Sequence, residues 1–115
     1  MSSQTASIAP LSLRARRDVF AGKRWERWER QGAVTIGTRT VRVDMLHRKA
    51  RLAVEFDGAR FHGDDSQRRR DLERDALLAG AGFTTMRFTW EDIAQRPQWC
   101  VTRVLEALRA RGVTP

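Results

Sequence analysis

The spacing of apolar residues changes along this chain, and each change marks an element. From about Leu11 to Gln31 the residues are charged and helix-prone, with Val19, Phe20, Trp25 and Trp28 as the main apolar anchors. Trp25 and Trp28 stand three apart, so on a helix they share a face. The pattern predicts a helix interrupted at Gly22 whose tryptophans pack on a sheet; the competing reading is a pair of surface tryptophans that stack on bases. After Gly32 the period drops to two. Ala33–Ile36 reads as a short strand and Gly37-Thr38 as a turn. Thr40–Leu46 follows, with Val41, Val43 and Met45 facing one way and Arg42 and Asp44 the other. Residues 52–57 make a third strand, with Leu52, Val54 and Phe56 on one face and Ala53, Glu55 and Asp57 on the opposite one. These strands each have a greasy side and an acidic side.

Gly58 breaks the third strand, and Asp64, Asp65 or Ser66 can cap a helix running to about Ala79, stopped by Gly80 and Gly82. Phe83–Trp90 is a fourth strand. Pro97 stands where a last helix begins, with Val101, Val104, Leu105 and Leu108 as its buried stripe and Gly112 as its end. The order is helix, three strands, helix, strand, helix. Residues 1–10, rich in Ser, Thr and Ala, are expected to form a disordered arm, and residues 11–112 a single domain. No repeat or second domain is visible.

Charge adds a partner class. The chain of 115 residues carries 22 basic and 14 acidic side chains, a net charge of +8. Lys23 and Lys49 are its only lysines. Arginine's planar fork suits bidentate phosphate contacts, although a GC-rich genome would produce the same bias. The positive sign favours polyanionic partners either way. Cys100 is the only cysteine, and His47 and His62 the only histidines, so neither an intrachain disulfide nor a structural zinc site is expected. Without an apolar run long enough for a membrane span or a signal-peptide core, the expected location is the cytoplasm, with no membrane partner.

Against that basic background, Asp44, Glu55 and Asp57 stand out. Glu55 and Asp57 lie two apart on one strand, about 7 Å from each other at the backbone. A turn near Lys49-Ala50 sets Asp44 opposite Glu55, where Cβ atoms approach to about 5 Å. Those turn residues lack the Gly or Asn of a two-residue hairpin, so a bulge or longer loop can shift the register. Converging carboxylates repel unless a cation or proton sits between them. The expectation is that the three come within reach of one divalent cation, Mg²⁺ or alternatively Mn²⁺, which uses one or two carboxylates and leaves sites for water and phosphate oxygens. The plainer alternative is surface pairing with Arg42, Arg60 or Arg87. His62, just past the third strand, can act as acid or base near neutrality. Asp71, on the following helix, can orient it. Arg68, Arg69 and Arg70 are candidate phosphate contacts or a solvated face.

The order of elements, with an acid on the second strand and another on the third, resembles the PD-(D/E)XK nuclease fold. Arg42-Val43-Asp44, Val54-Glu55-Phe56-Asp57-Gly58, Phe61-His62, Arg70-Asp71, Arg74-Asp75-Ala76-Leu77-Leu78, Gly82-Phe83 and Met86-Arg87-Phe88-Thr89-Trp90 are similar to the DUF559 group, related to the very-short-patch-repair (Vsr) endonucleases. The resemblance runs from about Val41 to Leu108. It implies a restriction-endonuclease-like αβββαβ core of the α/β class, a mixed four-stranded sheet flanked by helices, with an extra C-terminal helix. It also implies Asp44 as principal metal ligand and Glu55 as the acid opening the (D/E)XK half-motif. Asp57 occupies the lysine position, as is common in the group. His62 and Asp71 match the histidine and helix aspartate that assist water activation or the leaving group. The zinc cysteines and mismatch-wedging insertions of the repair enzymes are missing, so mismatch specificity does not carry over. Glu26 or Glu29 is the weak match for a first-helix glutamate. Members often carry an N-terminal DNA-binding or antitoxin-like domain for which these 115 residues leave no room, so the expectation from the resemblance is either a minimal form or a fragment read from a late start.

Together these readings lead to a Mg²⁺-dependent DNA endonuclease. Asp44, Glu55 and Asp57 would be metal ligands, His62 and Asp71 would complete the catalytic set, and Arg42, Arg60, Arg68, Arg69, Arg70 and Arg87 would meet the nucleic acid. The alternatives are a non-catalytic nucleic-acid-binding regulator or mobile-element accessory, and an RNase. A homodimer is compatible with cutting both strands.

Overall fold

Alternation between Glu29 and Asp57 produces three consecutive strands, β1 (Glu29–Ile36), β2 (Arg39–His47) and β3 (Leu52–Asp57), joined by two short turns and therefore antiparallel. The computed structural model describes residues 11–57 and 65–114. The expected arm over residues 1–10 lies outside them, as do Gly58, Arg60, Phe61, His62 and Asp64. A fourth strand, β4 (Thr84–Thr89), runs parallel to β3. A parallel neighbour needs a crossover, and α2 (Asp65–Gly80) provides it. The sheet order is β1-β2-β3-β4. Helix α1 (Leu11–Asp18) precedes the sheet, and α3 (Trp90–Gln95) and α4 (Pro97–Ala110) follow it. This is the α/β architecture expected: a mixed four-stranded sheet, flanking helices and a C-terminal helix, consistent with a restriction-endonuclease-like fold. Among the described residues no helix is long and apolar enough to cross a membrane.

Two apolar clusters hold the layers together. The larger joins Ala15, Phe20, Trp25 and Trp28 to Met45, Leu52, Val54 and Phe56 of the sheet and to Cys100, Val104 and Leu108 of α4. The stripe expected on α4 is buried along its length. The smaller cluster puts Val34, Val41, Val43, Leu46 and Ala53 against Leu78 of α2 and Phe83. β3 is thus covered on both faces: Ala53 and Glu55 are buried, not solvated as a polar face would be.

Several local expectations need correction. The first helix ends at Asp18, not Gln31. Gly22 adopts φ 102, a left-handed value that a side chain would strain, and Lys23–Trp25 forms a single 3₁₀ turn. Both tryptophans are buried in the core, which removes the base-stacking alternative. β1 begins at Glu29, four residues before the alternation suggests. Val43 and Met45 pack into different clusters, so the regular alternation of β2 breaks at Asp44. Gly32 explains the close approach there: a Cβ on it would lie 2.7 Å from Leu46 Cβ. Trp90 leaves β4 and opens α3, whose Thr89 cap accepts from Asp92 N–H while the Asp92 carboxylate accepts from Thr89 N–H.

Candidate active site

The β2–β3 ladder contains only three residue pairs, Met45–Val54, Leu46–Ala53 and His47–Leu52. Its turn is a four-residue loop in which Arg51 takes φ 55 and the Ala50 N–H donates to His47 Nδ1 at 3.1 Å. That loop, lacking glycine, supplies the longer connection left open by the sequence, and it keeps Asp44 in line with Glu55. The ladder stops one step before the two would pair. There the Asp44 side chain replaces the missing backbone contact: Oδ2 accepts from Phe56 N–H at 2.8 Å, and Oδ1 accepts from Gln31 Nε2 at 3.1 Å.

Gln31 reaches Asp44 because β1 is irregular at that point. Its φ is 53, an uncommon value for a residue with a side chain and one that carries strain. The Gln31 carbonyl in turn accepts from Arg42 Nη1 at 3.2 Å.

Glu55 is 9 % exposed and lies beneath α2. Arg74, reaching down from that helix, donates Nη2 to Glu55 Oε2 at 3.3 Å and also to the Arg42 carbonyl. Burial is the main force on the Glu55 carboxyl, and the negative charge of Asp44 adds to it; together they push its pKa up to about 7, against the opposing charges of Arg74 and Arg87 and an N–H bond from the Asp44 backbone. Arg87, paired with Glu55 across the parallel ladder, forms a bidentate bridge to Asp75 at 2.8 and 3.2 Å, which holds the guanidinium further above its ordinary range. Asp71 sits 4.0 Å from Arg74 Nη1 and accepts from Gln67 at 3.4 Å. Strand β3 and helix α2 are therefore linked through one charged network.

The predicted residues divide accordingly. Asp44 and Glu55 are neighbours that feel each other's charge. Asp57, the last residue of β3, is half-buried beside Thr89 of β4. Among the described residues no group of three or more His, Cys, Asp or Glu side chains is arranged to hold a metal. The β2–β3 ladder ends before Asp57, whose register partner in the sheet is Thr89 of β4. Asp71 joins the network through Arg74; its expected partner His62, like Arg60, lies outside the described residues. Arg68, Arg69 and Arg70 are exposed on α2, with Arg70 donating to Gln67 at 3.0 Å. Arg42 is exposed beside the site, and Arg87 is engaged by Asp75. Neither glutamate proposed for a first helix lies on one: Glu26 ends the 3₁₀ turn, and Glu29 opens β1 and pairs with Arg48 at 2.8 Å.

Sequence reading missed Gln31, Arg74, Arg16 and Arg30. Arg16 and Arg30 line a pocket of about 190 Å³ together with Asp44 and Phe56. Arg74 was visible only as a charge that could offset Asp71 and Asp75, and nothing in its spacing points to Glu55.

A family model, REase_MTES_1575, matches residues 16–108, a span that takes in the last turn of α1, all four strands and most of α4. No curated protein and no solved structure matches the chain.

Proposed function

The chain belongs to the restriction-endonuclease-like REase_MTES_1575 family, and from that premise we propose that this nuclease-like domain is a metal-dependent endonuclease hydrolysing DNA phosphodiester bonds, with DUF559 and Vsr enzymes as its functional kin. The observation that carries the reading is the Asp44–Glu55 pair at the end of the β2–β3 ladder, with the Glu55 carboxyl pushed to about 7.

The donor chemistry fits a hard divalent cation. Mg²⁺ needs only one or two carboxylates, and a carboxyl that resists ionisation in a buried position is one that a cation would stabilise. Asp44 and Glu55 would hold it, with Asp57 as a further ligand or as a group acting through them. When bound, the ion supplies charge neutralisation at the scissile phosphate and a more acidic water. The chain's own groups do the rest. Gln31 and Phe56 N–H fix the Asp44 carboxylate. Arg74 fixes Glu55 and places a positive charge beside it, where the half-motif has no lysine. His62, oriented by Asp71, would move the proton. Arg42, Arg60 and the Arg68–Arg70 run would contact DNA phosphates.

The test is a Mg²⁺ and Mn²⁺ titration against plasmid, branched and linear DNA and single-stranded RNA. Asp44→Asn is the variant of choice, since an amide oxygen can still accept from Phe56 N–H. The parent should nick DNA only with metal, and the variant should lose at least a hundredfold. Equal cleavage by both would refute the reading. Faster cleavage of RNA than of any DNA would make the protein an RNase.

The second reading, a nucleic-acid-binding regulator or mobile-element accessory without catalysis, is favoured by the Arg74–Glu55 contact, because a guanidinium already supplies that carboxyl with a positive partner. It predicts salt-sensitive DNA binding unaffected by EDTA or by Asp44→Asn.

A further inference from the structure

The proposed site borders two arginines for which neither the nuclease reading nor the family match supplies a role. Arg30 lies on β1, half-buried, with Nη2 donating to the Phe20 carbonyl at 3.0 Å. Its Nη1 is shielded from solvent and has no hydrogen-bond partner among the described residues. Arg16, exposed in the last turn of α1, is close enough for its charge, after burial itself, to disfavour the charged form of Arg30. Neither forms an ion pair with a described carboxylate. Two like charges held together at the surface, one with a donor unused, are costly in isolation and become favourable when an anion bridges them.

The surroundings indicate which anion. Both side chains line the pocket of about 190 Å³ that also contains Asp44 and Phe56, and both line an adjoining depression of about 420 Å³ beside Gly22 and Trp25. The pair therefore stands where two surface depressions meet, next to the carboxylate assigned to the metal. A carboxylate ligand would be repelled by Asp44 as much as a phosphate would, but a polymer whose next phosphate lies at the metal can bring a second one to the arginines.

We infer that Arg16 and Arg30 form a phosphate-binding subsite that seats a backbone phosphate of the nucleic acid adjacent to the one held at Asp44. The inference rests on the reading of Asp44 as part of the substrate site. Arginine forks suit this role because a phosphate can accept two N–H bonds from each, and partial burial strengthens those bonds.

The experiment measures binding separately from cleavage. Anisotropy of a labelled duplex of about 20 base pairs, in EDTA and over a series of salt concentrations, is compared for the parent, Arg16→Glu, Arg30→Gln and Arg109→Glu. Arg109, exposed near the end of α4, controls for net charge. Arg16→Glu should weaken binding about tenfold or more and lower the slope of log K against log salt by about one. Arg109→Glu should change affinity by less than about threefold. Arg30→Gln should behave like Arg16→Glu, provided its circular dichroism matches the parent; if it fails to fold, Arg16→Glu decides alone. Loss no greater than that of Arg109→Glu overturns the subsite. Duplexes with 5′-phosphate and 5′-hydroxyl ends separate the two phosphate sources. Equal loss supports a backbone phosphate, and loss confined to the 5′-phosphorylated duplex overturns it in favour of a terminal one. The cleavage reading fails separately, if Asp44→Asn cuts as fast as the parent while the arginine variants still lose affinity.

Discussion

Replacing Glu55 by glutamine tests the electrostatics of the site without any assumption about catalysis. Its carboxyl titrates at about 7 in the folded protein against an ordinary 4.5. Burial is the larger cause and Asp44 the second, and both exceed the attraction of Arg74 and Arg87. A raised acid pKa means that the folded state holds the proton more tightly than the unfolded state. Stability is therefore greatest below pH 4.5, falls as pH rises through about 7, and levels off above it. At roughly 1.4 kcal/mol per pH unit, the whole excursion costs the metal-free fold about 3 kcal/mol, most of which falls between pH 5 and pH 8. Glutamine has the shape of the protonated acid and cannot ionise. The stability of Glu55→Gln relative to the parent should then be about 2–3 kcal/mol more favourable at pH 8 than at pH 5, in EDTA. For a domain near this size that is a relative gain in Tm on the order of 10–20 °C. Urea titrations at the two pH values measure it, with the parent as reference at each. A difference that is the same at both, within about 0.5 kcal/mol, would refute the account of Glu55 as a buried acid beside Asp44.

Three further outcomes follow from other positions. Gly32→Ala puts a Cβ within 2.7 Å of Leu46 Cβ and should destabilise by about 1–3 kcal/mol; an unchanged urea midpoint would mean that β1 relaxes freely there. Cys100 is buried, with its thiol pushed up to about 11, chiefly by burial, so it should react with a disulfide reagent at pH 8 only as fast as the protein unfolds, and prompt native-state labelling would contradict its packing. His47 is held below its ordinary range, first by burial and then, against its own backbone bond, by Arg27 and Lys49. Its folded state disfavours the imidazolium, so its contribution to stability is present above pH 6.5 and is lost as pH falls below it; an NMR titration placing the His47 midpoint above 6.5 would reverse that sign.

Much of the sheet could be read from the residues because a period of two leaves little freedom. Once Val41–Met45 and Leu52–Phe56 are strands joined by a short turn, Asp44 must fall near Glu55, and the ladder places them one step beyond its last pair. The C-terminal helix was equally legible, since Pro97 and the stripe from Val101 to Leu108 admit only one face. The region from Val19 to Trp28 was not. Two tryptophans three apart satisfy a helix and a 3₁₀ turn alike, and burial by the core decided between them. β1 was read short because Glu29, Arg30 and Gln31 are polar and Gln31 departs from strand geometry. Thr89 and Asp92 do carry a capping signal three residues apart, but the preceding Phe88 made Trp90 look like more strand. The arginines that matter could not be singled out at all. In a chain with 20 of them, Arg16, Arg30 and Arg74 differ from the rest only through three-dimensional proximity to Asp44 and Glu55.

The charges around Glu55 lead to the last prediction. Asp44, Arg74 and Arg87 act on Glu55, and Asp71, Asp75 and Glu55 act on Arg87. With every group ionised, four carboxylates face two guanidiniums, and two negative charges are left over. Protonation of Glu55 near neutrality removes one of them, which is the response open to the metal-free protein. A divalent cation would remove both and would favour the ionised carboxyl, so binding must expel the proton. At pH 6, where Glu55 is mostly protonated, Mg²⁺ or Mn²⁺ binding should release close to one proton per ion, and at pH 8.5 close to none. Calorimetry in buffers of different ionisation enthalpy reads this number directly from the slope of the observed heat. Glu55→Gln should bind the ion more weakly and release no proton at either pH. If the parent binds the ion without proton release at pH 6, the cation is not at Glu55, and the proton and the metal do not compete for the same carboxyl.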